Sequence, residues 1–198
     1  MCIRDRAMDS VRRYLNTPLG IKKIDPAMAD YPTPEDPLTY YNKGCGENGS
    51  VFCHANAWAV IAECLLGRGE RAWEYYSQLL PMNAQAKAGE WRYKAEPYVY
   101  SSNIFGPESD KFGLANVSWL TGTAAWMYVA FTQYLLGVKP VWGGLSIEPC
   151  LPPQWESIEI TRIFRGCRYH IRVKNGEKLF IPHEEGRTHY ERTDDTTV

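Results

Sequence analysis

The chain has 198 residues, with 22 lysines and arginines against 23 aspartates and glutamates, so its formal net charge at pH 7 is −1. This balance supplies no field that would attract a polyanion, which argues against a nucleic-acid partner. The composition, 44% hydrophobic and 23% charged, is typical of a globular domain. The longest apolar run, Ala57 to Ala62, is far shorter than the roughly 20 residues that cross a bilayer, so we expect no membrane partner and a cytoplasmic location.

The N-terminal third is mostly irregular. Residues 1–7 (MCIRDRA) show no apolar periodicity and look like a non-native start, so we assign them to no domain. Met8 to about Asn16 is compatible with a helix. Four prolines then predict an extended loop that leads to Tyr41 and to the glycine-rich turn at residues 44–49, GCGENG.

Three helices are predicted in the middle of the chain. Apolar residues recur at helical spacing from His54 to Leu66, and Gly67 ends that helix. Glu70 to Leu80 forms a second helix, and the short turn between the two makes them antiparallel. Thr121 to Leu136 forms a third, which is apolar nearly all round and is therefore expected to be surrounded by protein. So few helices cannot surround it, and we expect further helices outside this chain.

The periodicity changes after Gly137. Residues 145–147, 158–163 and 169–173 alternate between apolar and polar, as half-buried strands do, with a hairpin turn at Arg165-Gly166-Cys167. The predicted fold is therefore mainly α with a C-terminal β region.

Two domains follow from this change. Residues 8–140 are expected to form a helical domain and residues 141–198 a partial β domain. From Asn175 onward the chain becomes polar, and we expect a frayed tail there.

Six cysteines occur without a CxxC pair, so we expect buried free thiols. A zinc site formed by Cys45, Cys53 and His54 is an alternative, but its spacing matches no standard zinc motif. We therefore predict no metal.

Two helix starts are candidate anion sites. His54 stands at the start of one predicted helix, and Thr121-Gly122 opens another. A helix start offers unpaired N–H groups and about half a positive charge, glycine allows close approach, and threonine adds a hydroxyl. Together the two starts are suited to phosphate. The alternative is that the threonine caps its own helix and the histidine is an ordinary packed residue.

A carboxylate and several aromatic rings could bind a sugar. Glu47 lies in the glycine-rich turn, where a carboxylate can accept hydrogen bonds from sugar hydroxyls or act as an acid or base beside a second carboxylate. Tyr41 and the pair Tyr98 and Tyr100 have rings that can stack on pyranose faces. The alternatives are a solvated turn carboxylate and interior packing of the rings.

Long stretches of the chain resemble a known family. The matching segments are ENGSVFCHANAWAVIAECLLGRGERAWEYY, EPYVYSSNIFG, NVSWLTGTAAWMYVAFTQYLLGVKP, GLSIEPCLPPQW and RIFRGCRYHIRV. With these segments the chain resembles, over roughly Val11 to Lys174, the family 94 glycoside hydrolases, the inverting β-glycoside phosphorylases typified by cellobiose phosphorylase.

The resemblance implies both a fold and a site. The fold would be the C-terminal part of an (α/α)6 barrel, followed by the start of a β-sandwich or jelly-roll domain. The site would use His54, Thr121 and Gly122 as phosphate ligands, and Glu47 and Tyr41 as contacts to the acceptor-side sugar. The family's general acid is an aspartate on an earlier barrel segment, which nothing here matches, so we expect no catalytic residue in this chain and no activity from it alone.

The implied reaction is phosphorolysis of a β-linked, cellobiose-like disaccharide with inversion, giving an α-sugar 1-phosphate and a free sugar. Inorganic phosphate is the co-substrate, no cofactor is expected, and the complete enzyme would be a homodimer. We expect a lysine in cellobiose-acting members where this chain has Gly46, so the acceptor sugar stays open.

Two other functions stay open. One is a hydrolase of the same barrel class that uses water and takes Glu47 or Glu96 as its second carboxylate. The other is an inactive fragment that only binds sugar or phosphate.

Overall fold

The computed structural model describes residues 2–28 and 41–183, together with the backbone of residues 189–191. Within these ranges the chain forms a helical region followed by a β region, with several antiparallel sheets, as the sequence predicts. None of the helices in the described ranges is both long and apolar enough to cross a membrane.

The first helix begins earlier than the sequence predicts. Helix α1 spans Ile3–Ser10 and continues as wider π-helical turns over Val11–Leu15. The carboxylate of Asp5 accepts a hydrogen bond from the backbone N–H of Cys2 at 2.9 Å and another from Arg68 at 2.9 Å. The start of α1 is therefore held by ion pairs rather than by a stripe of apolar residues, so apolar periodicity does not predict it.

Five short strands follow in the helical region. The list is β1 at Asn16–Thr17, β2 at Gly20–Ile21, β3 at Val51–Phe52, β4 at Ser101–Ile104 and β5 at Ala115–Ser118. Strands β3, β4 and β5 form one sheet, in which β4 lies in the middle and is antiparallel to both neighbours. Strands β3 and β5 therefore run in the same direction.

The three helices predicted in the middle of the chain are confirmed as α2 at Cys53–Leu65, α3 at Gly69–Leu79 and α6 at Thr123–Val129. Two further helices lie between α3 and α6, α4 at Pro81–Ala88 and α5 at Glu90–Tyr93. Helix α6 continues without a break as π-helical turns over Ala130–Leu135. The sequence did not predict α4 or α5.

Helix α2 lies against α3 and α6, and this contact forms the first core. The fully buried residues include Val60, Tyr75, Leu79, Met127 and Leu135. The nearly all-apolar helix α6 is covered on one side only, because Trp126 is 40% exposed and Tyr128 is 58% exposed.

The β region begins slightly before residue 141. Strands β6 at Val138–Val141 and β7 at Gly144–Ile147 pair antiparallel. The predicted hairpin is confirmed as β8 at Ser157–Phe164 and β9 at Cys167–Lys174. Its two turn residues, Arg165-Gly166, both have positive φ, as a tight two-residue hairpin requires.

The expectation of a frayed tail from Asn175 is wrong for one segment. Strand β10, Leu179–Pro182, pairs with β7 and buries Ile181 in the second core. Backbone pairing with a strand that is already fixed orders this segment despite its polar surroundings. A last strand, β11 at His189–Glu191, lies parallel to β9, and residues 192–198 lie outside the described part of the chain.

A buried carboxylate lies where α1, α2 and α3 meet. Glu63 is 0% exposed, and its oxygens are 3.6 Å from Arg68 and 4.0 Å from Arg71, too far for hydrogen bonds. Both arginines donate instead to Asp9, at 3.1 and 2.6 Å. Burial raises the pKa of Glu63 above its usual range, although the arginines partly oppose that rise.

Replacing this carboxylate by its neutral isostere, Glu63→Gln, is expected to increase the free energy of unfolding at pH 7. When a carboxyl has a higher pKa in the folded chain than in the unfolded chain, its ionised form destabilises the folded state. The protein regains this stability as the pH falls through the folded pKa. The advantage of the variant should therefore shrink between pH 7 and pH 5. Urea unfolding of the parent and the variant at pH 7 and at pH 5 measures this difference in the free energy of unfolding.

The exposed Glu156→Gln is the matched control, because it makes the same chemical change without removing a buried charge. A Glu63→Gln variant that is less stable than the parent at pH 7 would mean that attraction by the arginines outweighs burial.

Candidate functional site

The small sheet of the helical region brings two helix starts together. Strand β3 leads directly into α2, and β5 leads through residues 119–122 into α6. Because β3 and β5 run in the same direction on either side of β4, both helices begin at the same edge of the sheet. This topology places His54 in the first turn of α2 beside Thr121 and Gly122 at the start of α6.

The imidazole of His54 packs directly on Gly122. A Cβ atom at residue 122 would lie 2.9 Å from Cε1 and 3.5 Å from Nε2 of the imidazole, so a side chain there would displace the ring. The ring also lies 5.3 Å from that of Trp58 and 6.1 Å from that of Trp126, between centroids. Its Nε2 atom is buried and has no hydrogen-bond partner among the described residues, an arrangement that costs about 1–3 kcal/mol.

Thr121 also stabilises its own helix. Its hydroxyl oxygen accepts a hydrogen bond from the backbone N–H of Thr123 at 3.2 Å and lies 2.6 Å from the hydroxyl of Thr123. The N-cap position itself belongs to Gly122, which has no side chain to cap the helix, so Thr121 holds the helix start from the residue before it.

The backbone just before this helix start is strained. Val117 and Trp119 have φ values of 55° and 70°, a left-handed conformation that costs a residue with a side chain about 1–2 kcal/mol. The indole N–H of Trp119 donates to Glu96 at 3.0 Å. A hydrogen bond from its own backbone, with others from Trp119 and Ser118, lowers the pKa of Glu96.

The glycine-rich turn holds Tyr41 against Gly46. A Cβ atom at residue 46 would lie 2.3 Å from Cδ1 of Tyr41, and Gly46 has a φ of +45°. The nearby ring and the positive φ each require glycine at residue 46. Asn48 anchors the turn, because its side-chain amide donates to the carbonyl of Tyr41 at 3.0 Å and to that of Met28 at 3.0 Å.

Glu47 is connected to the start of α2 through a lysine. Its carboxylate forms an ion pair with Lys23, and each side chain is 37% exposed. The ammonium of Lys23 also lies 4.7 Å above the ring of Phe52, the residue just before α2. The structure thus brings His54, Thr121 and Gly122 together, brings Tyr41 onto the turn of Glu47, and connects the two groups through Lys23.

The sequence reasoning missed three residues of this site. Trp58 and Trp126 stand four residues after His54 and Gly122, so helical spacing alone places each ring over its helix start. Lys23 reaches Glu47 across the intervening loop, and no local spacing signals that contact.

A zinc site gains no support from the described part of the chain. No three histidine, cysteine, aspartate or glutamate side chains there lie close enough together to hold a metal ion. Burial also raises the pKa of Cys53 to about 12, so its thiol is the stable form, whereas zinc needs the thiolate.

Comparison with known protein families identifies the family to which the chain belongs. Residues 4–137 match the glycosyl hydrolase 94 superfamily catalytic domain, and residues 140–188 match the C-terminal domain of glycosyl hydrolase family 65. The chain belongs to the glycosyl hydrolase 94 superfamily, which confirms the resemblance seen in the sequence.

Several curated relatives are similar to the chain. N,N'-diacetylchitobiose phosphorylase of Vibrio proteolyticus is 43% identical over 88% of this chain and 22% of its own length. Solabiose phosphorylase of Paenibacillus borealis is 34% identical over 86% of this chain and 22% of its own length. A cyclic β-(1,2)-glucan synthase of Rhizobium meliloti is 32% identical over 89% of this chain and 6% of its own length. The chain therefore spans about a fifth of the length of the two phosphorylases.

The contact between Tyr41 and Gly46 can be tested by a double-mutant cycle. Gly46→Ala is expected to destabilise the chain by about 2–4 kcal/mol, through the clash with the ring and the positive φ together. In a Tyr41→Ala background only the φ cost of about 1–2 kcal/mol should remain. Denaturant unfolding of the parent, the two single variants and the double variant gives the coupling free energy between residues 41 and 46.

Gly67→Ala is the control, because Gly67 also has a positive φ but a Cβ there would meet nothing within 4 Å. Equal costs of Gly46→Ala in both backgrounds would show that the ring does not occupy this space.

Proposed function

We propose that this chain supplies the phosphate-binding part of an inverting β-glycoside phosphorylase. The complete protein would convert a β-linked disaccharide and inorganic phosphate into an α-sugar 1-phosphate and a free sugar. The observation that carries the proposal is the buried Nε2 of His54 beside Gly122, which has no hydrogen-bond partner in the described ranges and lies where two helices begin. The names of two relatives, both disaccharide phosphorylases, support it.

In this proposal His54, Thr121 and Gly122 bind phosphate. The imidazole of His54 donates from Nε2, and the positive ends of α2 and α6 attract the anion. The rings of Trp58 and Trp126 exclude water from one side of the imidazole, which strengthens its attraction for charge.

The reaction is a single displacement. A phosphate oxygen attacks the anomeric carbon, the bond from that carbon to the bridging oxygen breaks, and an acid gives the bridging oxygen a proton. That acid is an aspartate outside this chain, so the chain alone is inactive. Phosphate is already an anion and needs no second carboxylate to activate it, unlike the water used by an inverting hydrolase.

Glu47 and Tyr41 bind the acceptor-side sugar. The ion pair with Lys23 holds the Glu47 carboxylate in place, so its oxygens can accept hydrogen bonds from sugar hydroxyls. The ring of Tyr41, 43% exposed and held by Gly46, offers a face on which a pyranose can stack. Diacetylchitobiose, named by the 43% identical relative, is the first sugar to test, and cellobiose is the second.

The architecture fits the same proposal. Residues 8–140 form the C-terminal part of an (α/α)6 barrel, for which the antiparallel pair α2 and α3 and the exposed rings of α6 are the support. Residues 141–198 form the start of a β-sandwich or jelly-roll domain. The complete enzyme is a cytoplasmic homodimer that needs no cofactor besides phosphate as co-substrate.

A hydrolase is the weaker alternative, because each residue that could supply its second carboxylate, Glu47 or Glu96, is already engaged by another side chain. Glu47 pairs with Lys23, and Glu96 accepts the indole N–H of Trp119.

His54→Ala, made in the full-length protein, tests the function. Loss of a preorganised donor should lower kcat/KM for phosphate by at least about 100-fold while the circular dichroism spectrum stays unchanged. Sugar 1-phosphate formation from diacetylchitobiose and from cellobiose is the assay. His170→Ala, on strand β9 of the β region, is the matched control and should keep parental activity.

Two outcomes would contradict the proposal. Unchanged kcat/KM for phosphate in His54→Ala would remove the histidine from the site, and release of free sugars without phosphate would establish the hydrolase. Turnover by the 198-residue chain alone would show that the acid lies within it.

Gly122→Ala tests the close approach of the imidazole. The added Cβ, 2.9 Å from Cε1, forces the ring to move, and KM for phosphate should rise about 10-fold to 100-fold. Gly143→Ala is the control, because its Cβ would make only an ordinary contact, 3.5 Å from Phe180. An unchanged KM in Gly122→Ala would show that the position of the ring does not determine phosphate binding.

A further inference from the structure

Residues from α4, α5, the loop before β4 and the end of β5 line a cleft that has no role in the function proposed above. Its volume is about 680 Å³, which is within the range of small-molecule sites. Trp91 of α5, Glu96 and Ser118 are among the lining residues. Ser118, the last residue of β5, pairs with Ser101, the first residue of β4. The cleft therefore reaches the edge of the sheet from which the chain enters α6.

Aromatic rings at this cleft are open to solvent. Trp91 is 90% exposed, and Trp119, the residue after Ser118, is 68% exposed. Tyr98, which follows the lining residue Pro97, is 76% exposed. Tryptophan is on average a highly buried residue, and groups of exposed apolar side chains mark binding surfaces. These rings are therefore available to a ligand.

A carboxylate of the cleft is held in a fixed orientation. The indole N–H of Trp119 donates to Oε1 of Glu96 at 3.0 Å. An ionised carboxylate has about four acceptor positions on its two oxygens, and Trp119 occupies one of them. Glu96 is therefore an oriented hydrogen-bond acceptor at the wall of the cleft.

Strained backbone is concentrated at the same place. Four residues other than glycine have a positive φ in the described ranges. Lys94, with a φ of 56°, lines the cleft, and Val117 and Trp119, with φ values of 55° and 70°, lie on either side of the lining residue Ser118. The fourth, Arg165, belongs to the turn between β8 and β9. Such conformations are unfavourable and cluster at ligand-binding sites, which favours a binding role for the cleft.

The combination of charged groups and open rings favours a sugar over a protein partner. Glu90, Lys94 and Glu96 all line the cleft, whereas the buried centre of a protein–protein contact is depleted in lysine and glutamate. A pyranose has an apolar face that stacks on an indole, and its hydroxyls donate to carboxylates and accept from an ammonium group. Trp91, Glu96 and Lys94 supply these three partners in one cavity.

We propose that this cleft binds a sugar unit of a β-linked oligosaccharide, with Trp91 as the stacking ring and Glu96 as the acceptor for its hydroxyls. The choice of a β-linked sugar rests on the proposed function. The lining residues include none of those assigned there to phosphate or to the acceptor-side sugar. An oligosaccharide in the cleft would lie along the edge of the sheet at which phosphate is proposed to bind.

Oxidation of tryptophan in the full-length protein tests the cleft directly. N-bromosuccinimide should oxidise Trp91 readily because its ring is exposed, and cellotetraose or the N-acetylated chitotetraose should slow this reaction at least about 3-fold. Trp142, which is 93% exposed in the β region, is the matched control and should react at the same rate with and without sugar. Peptide mapping by mass spectrometry measures both rates.

Variants give the affinity that the ring contributes. Calorimetric titration of the same sugars without phosphate should show that Trp91→Ala raises Kd about 10-fold, whereas Trp91→Phe, which keeps a ring, retains most of the affinity. Glu96→Ala should also raise Kd, and Trp142→Ala should leave it unchanged. Because Trp91 is so exposed, its replacement should leave Tm unchanged.

Three results would overturn this inference. Equal oxidation of Trp91 with and without sugar would show that no sugar covers the ring, and slow oxidation without sugar would show that another part of the protein covers it. Unchanged Kd in Trp91→Ala would show that the ring adds no affinity. Protection of Trp91 in a protein that forms no sugar 1-phosphate would leave the cleft and contradict the proposed function. Loss of phosphorolysis in His54→Ala with no protection of Trp91 would do the reverse.

Discussion

The direct packing of the His54 imidazole on Gly122 depends on how the two helices are attached. Each helix follows an outer strand of the same three-stranded sheet, and the middle strand, antiparallel to both, makes their ends point the same way. Two helix dipoles therefore present their positive ends at one edge. The imidazole adds a donor that has no hydrogen-bond partner among the residues that the structure describes. An anion with several oxygens matches such a set of donors better than a neutral group does.

The convergence of the two helix starts also explains the glycines and the strained backbone around the site. At Gly122 and Gly46 a ring occupies the place of a side chain, so each glycine marks a ring that must lie close. The left-handed residues Val117 and Trp119 carry the chain from β5 to the start of α6. Their cost is offset by the packing of α6 on α2, which buries Met127 and Leu135. Stability gained in the core thus supports an unfavourable local geometry at the site.

Helical spacing predicted α2, α3 and α6 because their apolar faces are continuous. The unpaired N–H groups of helix starts predicted one anion site for His54 and Thr121-Gly122, and the structure brings His54 and Gly122 into contact. Strands β3 to β5, of two to four residues, are too short to show a period, so the sheet that causes the convergence was not predicted. The beginning of α1 and the contact of Lys23 with Glu47 rest on ion pairs between residues far apart in sequence, which local patterns do not report.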